Sequence, residues 1–314
     1  MTPSLQHTVV VGAGAVGSFF GAMLARAGHP VTLIGRAPHV NAIRESGLKL
    51  HMGGRVETVK LGATADIGAV STADLVLFCV KSTDTDAVSR EIAPLLKPGA
   101  VLLSLQNGVD NAATIARQVR QTVVPAVVYV AAAMPQPGVV THHGRGDLVI
   151  GALNAADADA PERRRQLQQV VELFASADVP VVISPNVIDE LWRKLLVNCV
   201  YNAISAVSQL PYGRMVEQPE IGAVMHMLIR EVVAVAQADG QQLSIDSAVE
   251  AVEKIGAAMP AQLSSTAQDL ARGKPSEIDH LNGFIVRRGA ELGLPTPVNQ
   301  TLHALVKLAE SGAR

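Results

Sequence analysis

Short apolar runs alternate with longer amphipathic segments through the first 184 residues of the chain. Continuous apolar runs of strand length are typical of strands buried on both faces of a parallel sheet. They predict strands over residues 8–11, 31–34, 75–80, 101–105, 122–128 and 179–183. The segments between them predict helices that end at Gly28 or cover residues 84–96, 111–119 and 163–177. This alternation predicts a doubly wound α/β sheet.

Two further segments complete this first half. Residues 138–151 (GVVTHHGRGDLVIG) predict a hairpin that extends the sheet, with its turn at Gly144–Gly146. Residues 154–160 (NAADADA) are polar and predict a loop.

After Ser184–Pro185 strand patterns nearly vanish and helical spacing takes over. Helices are predicted over residues 188–207, 220–238, 247–259, 277–292 and 299–309. The pattern therefore predicts two domains, residues 1–185 with a sheet and residues 186–314 entirely helical.

Composition and charge narrow the possible partners. The chain has 314 residues, 48% of them hydrophobic, and a formal net charge of −2, which favours neither nucleic acid nor an anionic membrane. Cys79 and Cys199 lie in apolar segments without a C-x-x-C spacing, as expected of buried thiols in a reducing compartment. No signal-peptide pattern or run of about 18 apolar residues is present. His142–His143 has no third ligand nearby in sequence, so we expect a cytoplasmic protein without a metal site.

A glycine turn directly follows the first predicted strand. Gly12, Gly14 and Gly17 have the spacing G-x-G-x-x-G, and a predicted helix begins within it. These glycines allow a tight turn, close approach of a pyrophosphate and close packing of helix on strand. The alternative is a tight turn with a backbone role only. The context favours a dinucleotide site built from Gly12, Ala13, Gly14, Ala15, Val16 and Gly17.

Arg36 follows the second predicted strand, where an NAD enzyme usually has an acid that binds the ribose 2′-hydroxyl. A guanidinium there suits the 2′-phosphate of NADP(H). The alternative is a solvated surface arginine. We therefore expect NADP(H) rather than NAD(H).

A polar stripe interrupts the apolar helix predicted over residues 188–207. Lys194, Asn198 and Asn202 recur every four residues and so project from nearly the same face. Burying these groups without partners costs several kcal/mol, so the stripe predicts either a ligand or a facing polar surface of the other domain.

Two other polar groups remain open to both structural and functional interpretations. Ser264–Ser265 precede the segment Lys274–Asp279, in which Ser276 and Asp279 fit a capping box and Glu277 fits either the helix dipole or a functional role. Lys81 and Gln106–Gly108 follow two predicted strands, and ligands of open α/β sheets bind at such carboxyl ends. We expect them to face the cofactor and substrate, although ordinary loop polarity would give the same pattern.

Together these motifs resemble the ketopantoate reductase (2-dehydropantoate 2-reductase) family over nearly the whole chain. The resemblance is carried by Arg36 and by GAGAVG at 12–17, CVKS at 79–82, LQNG at 105–108, KLLVNCVYN at 194–202, SSTAQDL at 264–270 and SEIDHLNGF at 276–284. It implies an NADP-binding Rossmann-type domain over residues 1–185 and a helical substrate and catalytic domain over residues 186–314. It also implies NADPH-dependent reduction of 2-dehydropantoate to pantoate, a step of pantothenate and coenzyme A biosynthesis.

The resemblance also implies roles for individual residues. Lys194 and Glu277 would be catalytic, with Glu277 also close to the cofactor. Asn198, Asn202 and Ser265 would hold the substrate, and Asn107 would contact both substrate and cofactor. Lys81 and Arg36 would bind the cofactor.

One position departs from the family pattern: Tyr212 stands where an asparagine is expected. This departure motivates one alternative, a related NADPH-dependent reductase of another 2-oxo acid. A second alternative, a non-catalytic NADPH-binding sensor, would need the glycine turn and Arg36 but neither Lys194 nor Glu277. A small-molecule substrate is expected, and the sequence leaves open whether the chain is a monomer or a homodimer.

Overall fold

The computed structural model describes residues 5–312 and divides into two compact units after Val187. Sequence reasoning placed this boundary at residue 185. The first unit combines a sheet with helices, and the described part of the second, up to residue 312, contains helices without strands.

The first unit contains one ten-stranded mixed sheet. Its strands are β1 (Thr8–Val11), β2 (Val31–Ile34), β3 (Leu48–Met52), β4 (Arg55–Val59), β5 (Gly62–Thr64), β6 (Leu75–Phe78), β7 (Val101–Ser104), β8 (Thr122–Gln136), β9 (Val139–Ile150) and β10 (Val181–Ile183). Their order is β4-β3-β9-β8-β7-β6-β1-β2-β5, with β10 paired to β9. The six strands from β5 to β8 in this order are parallel, and β9 runs antiparallel to β8.

Helices cover both faces of the parallel strands. They are α1 (Ala15–Arg26), α2 (Ala37–Ser46), α3 (Thr85–Ile92), α4 (Asn111–Gln118) and α5 (Pro161–Ala175). Alternate residues of the central strands belong to two separate apolar clusters, one with Phe20 and Phe174 and the other with Ile92 and Ile115. Every residue of β1, β6 and β7 is buried, and all of them except Thr8 and Ser104 are apolar, because both faces of these strands are covered. The prediction of a doubly wound sheet is confirmed.

The predicted hairpin turn at Gly144–Gly146 is wrong. These glycines lie inside β9, which pairs with β8 as one long ribbon whose connection falls at residues 137–138. Two register shifts leave Gly146 and His143 as extra residues on β9, and Arg145 between them has a positive φ of 53°. Glycine inside a strand marks a bulge as readily as a turn. The expectation that this segment extends the sheet is confirmed.

The segment from residue 37 to 64, which carries α2 and β3–β5, was not predicted. Strand β4 is exposed at four of its five positions and therefore has no apolar run to reveal it. Helix α3 is also shorter than predicted and continues as a 3-10 turn, Ala93–Leu95, where Pro94 cannot donate a backbone hydrogen bond.

The second unit is built around one long apolar helix. Its helices are α6 (Val187–Ser208), α7 (Tyr212–Val216), α8 (Pro219–Ala238), α9 (Ile245–Ala258), α10 (Ser265–Ala271), α11 (Asn282–Glu291) and α12 (Pro297–Gly312). Helix α6 buries Trp192, Leu196 and Val200 almost completely, which explains its apolar composition. Helices α7 and α10 were not predicted.

The predicted helix over residues 277–292 is wrong in its first turn. Residues Ile278–His280 form a 3-10 turn, and Leu281, with φ −111° and ψ −106°, separates this turn from α11.

Helix α8 is long and apolar enough, with a mean hydropathy of 1.4, to cross a membrane by length and composition alone. Buried helices of globular proteins meet the same criteria, and α8 buries Leu228, Val232 and Val235 in this unit. The helix is therefore weak evidence for a membrane span.

Candidate active site

The glycine turn forms an open helix N-terminus at the end of β1. Gly12 has φ +101°, and a Cβ there would lie 2.6 Å from the backbone nitrogen of Val80. Gly14 caps α1 without any side-chain hydrogen bond, the first turn contains no acid, and a Cβ on Gly14 would meet no atom within 4 Å. No side chain caps the first turn of α1, so its backbone N–H groups can receive an anion.

Gly17 allows α1 to lie close against the glycine turn. A Cβ on Gly17 would lie 2.5 Å from the carbonyl oxygen of Gly12 and 2.7 Å from Cγ1 of Val10. A dinucleotide cofactor thus fits residues 12–17, because the cradle is occupied by neither side chains nor negative charge.

A buried hydrogen-bond network connects this turn to α2 and to the connection between β8 and β9. The backbone N–H of Gly138 donates to Nδ1 of His39 (2.9 Å), whose Nε2 lies 3.1 Å from Oγ of Ser18. Ser18 in turn donates to the carbonyl of Ala13 (3.3 Å). Burial lowers the pKa of His39, so the neutral ring accepts from Gly138 through Nδ1 and donates to Ser18 through Nε2. Sequence reasoning missed this hydrogen-bond network because His39 and Gly138 lie 99 residues apart in the sequence.

Arg36 lies at the carboxyl end of β2, as predicted. It is the N-cap residue of α2, its side chain is exposed, and the first turn of α2 contains no acid. A cation beside a helix N-terminus suits a phosphate group. The residues present therefore fit the 2′-phosphate of NADP(H).

The loops after β6 and β7 are joined by buried polar side chains. The backbone carbonyl of Asn107 accepts hydrogen bonds from Oγ of Ser82 (3.0 Å) and Nδ2 of Asn111 (2.6 Å). Lys81, which is exposed, directly precedes Ser82, and the Asn107 side chain is half-buried. This network places both predicted cofactor residues at the carboxyl ends of neighbouring parallel strands.

Gln106 does not have the predicted orientation toward the cofactor. Its side chain is 6% exposed and donates to the carbonyl of Val80 (3.0 Å) and to Oγ1 of Thr85 (2.7 Å). Gln106 therefore holds the β6 and β7 loops together from inside. A polar residue that follows a strand can serve either purpose, and the sequence alone does not distinguish them.

The polar stripe lies on α6 as predicted. Lys194 and Asn198 are half-buried, whereas Asn202, nearer the end of the helix, is 3% exposed. The helix runs without interruption from Val187 to Ser208, so all three side chains project from nearly the same face.

Asn202 meets two residues from other elements. Its Nδ2 lies 3.5 Å from Oγ of Ser265, the first residue of α10, and its Oδ1 lies 3.5 Å from the phenol oxygen of Tyr212, the first residue of α7. Ser264 caps α10 and donates to the backbone carbonyl of Asn202 (3.2 Å). Asn202 and Ser265, to which the resemblance assigns substrate binding, therefore lie close together, and Tyr212 lies beside Asn202.

Glu277 lies between two residues that are attached to α12. Ser276 donates through its backbone N–H (2.8 Å) and its hydroxyl (2.6 Å) to Glu310. Asp279 binds His303 (2.6 Å) and Lys307 (2.9 Å). Burial alone would raise the pKa of Asp279, but these hydrogen bonds and charges lower it overall.

The predicted capping box is therefore wrong, because α12 binds the Asp279 side chain that should have capped a helix. The Ser276 hydroxyl does accept a hydrogen bond from the backbone of Ile278 (3.2 Å), but this closes only a local turn. The half-buried Glu277 is consequently held on a short, well-supported segment.

A buried amide network attaches α11 to α6. Nδ2 of Asn282 donates to the carbonyl of Cys199 (3.0 Å) and to Oδ1 of Asn299 (2.9 Å). Asn299 donates to the carboxylate of Glu231 on α8 (2.8 Å). Cys199 follows Asn198 directly, so this network holds the middle of the polar stripe.

Two family profiles match this chain, one after the other. Residues 8–155 match "Ketopantoate reductase PanE/ApbA", and residues 186–310 match "Ketopantoate reductase PanE/ApbA C terminal". Among curated proteins, the 2-dehydropantoate 2-reductase of Halobacterium salinarum is 35% identical over 97% of this chain and 99% of its own. That of Vibrio cholerae is 30% identical over 97% of this chain and 98% of its own.

Solved structures agree with these matches. The crystal structure of a PanE/ApbA family ketopantoate reductase from Ralstonia eutropha JMP134 has a TM-score of 0.90 and 51% identity, and the match covers 98% of this chain and 99% of that one. A D-mandelate dehydrogenase with NADH and anilino(oxo)acetate also has a TM-score of 0.90, over 98% of this chain and 99% of its own, but its 24% identity shows the fold alone. Because the profiles and relatives match both units, the chain belongs to the ketopantoate reductase PanE/ApbA family.

Proposed function

We propose that this protein reduces 2-dehydropantoate to pantoate with NADPH. The observation that carries the proposal is the stripe of Lys194, Asn198 and Asn202 on the apolar helix α6, in a chain whose other unit has an open glycine cradle. Family membership supports the same reaction, since the curated relatives are named 2-dehydropantoate 2-reductases. The substrate is a small molecule.

Residues of the first unit would hold the cofactor. The backbone N–H groups at the start of α1 suit the pyrophosphate, and Arg36 suits the 2′-phosphate. Lys81 and Asn107 occupy the strand ends at which ligands of open α/β sheets bind. When bound, NADPH supplies the hydride.

Lys194 is proposed as the residue that acts on the reacting carbonyl. Reduction of a ketone places negative charge on its oxygen, and an ammonium group held nearby stabilises that charge. Lys194 would then transfer a proton to this oxygen and so complete the alcohol. Glu277, on the segment attached to α12, would accompany Lys194 and contact the cofactor.

Asn198, Asn202, Ser265 and Asn107 are proposed to bind the substrate. Amide and hydroxyl groups donate hydrogen bonds to the carboxylate and hydroxyl oxygens of a 2-oxo acid. All these residues come from a single chain, so the proposal is compatible with a monomer or a homodimer. We place the enzyme in the cytoplasm, where NADPH and small 2-oxo acids are dissolved.

The first test measures initial rates of NADPH oxidation with 2-dehydropantoate for the wild type and for Lys194→Ala. We expect Lys194→Ala to lower kcat by about 10²–10⁴-fold and to leave the Kd for NADPH unchanged. Lys254→Ala is the matched control, because Lys254 is an exposed lysine on α9. Full activity of Lys194→Ala would exclude the proposed chemistry, and a wild type that binds NADPH without reducing any 2-oxo acid would favour the sensor.

Tyr212 supports one second candidate, a reductase of another 2-oxo acid. Its bulky ring lies beside Asn202, where it can change the shape of a substrate pocket. A panel of 2-oxo acids with different side chains tests this candidate. A kcat/KM that is highest for an acid other than 2-dehydropantoate would favour it.

A further inference from the structure

Tyr212 is buried at a position where its hydroxyl group meets the substrate-binding residues proposed above. The residue is 8% exposed, and its phenol oxygen lies 3.5 Å from Oδ1 of Asn202. Its ring packs against the ring of Tyr201, with the centroids 4.4 Å apart and the planes at 31°. The ring stack therefore orients the hydroxyl group toward Asn202.

The two stacked tyrosines have different hydrogen-bond partners. The hydroxyl of Tyr201 donates to the backbone carbonyl of Val252 at 2.9 Å, on α9. If the two rings served only to fill space, their hydroxyl groups would not need specific partners. The hydroxyl of Tyr212 nevertheless points at Asn202, a polar side chain of α6. Burial raises the pKa of Tyr212 to about 12, so its hydroxyl remains a donor at neutral pH.

The hydrogen bonds around Asn202 have a consistent direction. Tyr212 donates to Oδ1 of Asn202, and Nδ2 of Asn202 then points toward Oγ of Ser265, 3.5 Å away. Ser265 accepts in this arrangement, so its own hydroxyl hydrogen can point elsewhere. Both side-chain contacts are long for hydrogen bonds, and we expect a bound ligand to shorten them.

The chain of hydrogen bonds therefore ends in donors. Asn202 keeps one N–H and Ser265 keeps its O–H, and an ionised carboxylate accepts hydrogen bonds without donating any. Were the Asn202 amide reversed, its oxygen would face the carboxylate and repel it.

We propose that Tyr212 is a positioning residue that fixes the orientation of the Asn202 carboxamide, so that Asn202 and Ser265 present donors to the carboxylate of a 2-oxo acid. This inference rests on the proposed function, since it assumes that Asn202 binds the substrate. It assigns the hydroxyl of Tyr212 to recognition of the carboxylate and leaves the reacting carbonyl to Lys194.

Tyr212→Phe tests the inference, because it removes the hydroxyl and keeps the ring stack. The substrate carboxylate is bound equally in the ground state and the transition state. Weaker hydrogen bonds from Asn202 and Ser265 to this carboxylate therefore raise KM and leave kcat nearly unchanged. We expect KM for 2-dehydropantoate to rise about tenfold, with no change in KM for NADPH. An unchanged KM for 2-dehydropantoate would overturn the inference.

Tyr201→Phe is the matched control. It removes a hydroxyl from the same ring stack, but that hydroxyl binds Val252 and not Asn202. We expect a lower melting temperature and an unchanged KM for 2-dehydropantoate. An equal rise in KM for both variants would overturn the inference, because general loosening of the stack would then explain it.

The Asn202→Ala background separates this inference from the proposed function. Once the Asn202 amide is removed, the Tyr212 hydroxyl has nothing to orient, so adding Tyr212→Phe should not raise KM further. If Asn202→Ala raises KM and Tyr212→Phe alone does not, the inference fails and the proposed substrate site stands. If Asn202→Ala itself leaves KM unchanged, the proposed role of Asn202 fails, and the inference fails with it.

Discussion

Gly14→Ala should impair cofactor binding without destabilising the protein. Gly14 has φ −76° and ψ −168°, which any residue adopts, and an added methyl would meet no atom within 4 Å. The free energy of unfolding should therefore stay the same or rise by about 0.4–1 kcal/mol, because alanine restricts the unfolded chain.

The methyl group would, however, occupy space at the open end of α1. Forcing an extra methyl into a close contact costs about 1–3 kcal/mol, which corresponds to a rise in the Kd for NADPH of about 5- to 150-fold. Fluorescence titration of the purified protein with NADPH measures this Kd.

Gly12→Ala is the matched comparison. Its φ of +101° disfavours alanine, and the new Cβ would lie 2.6 Å from the nitrogen of Val80 and 2.7 Å from the carbonyl carbon of Cys79. Backbone strain of about 1–2 kcal/mol and overpacking of about 1–3 kcal/mol together predict a loss of about 2–5 kcal/mol. For a unit of this size, the melting temperature should fall by about 4–20 °C.

Thermal unfolding of the free proteins and NADPH titration together test the reasoning. If the melting temperature falls as far in Gly14→Ala as in Gly12→Ala, the conclusion that a methyl group at Gly14 meets no protein atom would be refuted. If Gly14→Ala binds NADPH as tightly as the wild type does, the claim that the cofactor phosphates lie close to Gly14 would be refuted.

Three other predictions address different parts of the protein. Arg36→Ala should raise KM for NADPH about tenfold or more and leave KM for NADH unchanged, because only NADPH carries the 2′-phosphate; an equal effect on both cofactors, in parallel steady-state assays, would contradict this. Burial lowers the pKa of His39 from 6.5, so the unfolded state binds a proton at this residue before the folded state does as the pH falls. The contribution of the neutral His39 ring to stability is therefore complete above about pH 6.5 and is lost as the pH falls through the pKa of the folded state. His39→Asn should therefore flatten the pH dependence of the melting temperature below about pH 6.5, and an unchanged profile would argue against it. Asn282→Ala should lower the free energy of unfolding in urea by about 2–4 kcal/mol, because it removes the donor to the Cys199 carbonyl and Asn299; a loss below about 1 kcal/mol would show that the network is dispensable.

Local patterns predicted a large part of the fold. Strands β1 and β2 have the predicted bounds, because burial on both faces leaves short, mostly apolar runs in the sequence. The glycine turn and the stripe on α6 were also predictable, since each depends on spacing within one element. The family resemblance was likewise available from short motifs.

Features that depend on distant partners were not predictable in this way. Gly144 and Gly146 lie in an irregular part of β9, where Gly146 is an extra residue, because a long antiparallel partner, β8, pairs with this segment. Asp279 binds α12 instead of capping a helix, because His303 and Lys307 lie within reach only after folding. Strand β4 is exposed and exists through its pairing with β3.

The sequence by itself determined which chemical groups this protein has and, for the glycine turn and the polar stripe of α6, the element on which they lie. Tertiary structure decided what those groups touch: Gln106 faces the interior, and Tyr212 reaches Asn202 beside Ser265. The physical reason is that spacing controls the direction of a side chain within its own helix or strand, whereas hydrogen bonds between elements depend on how those elements pack.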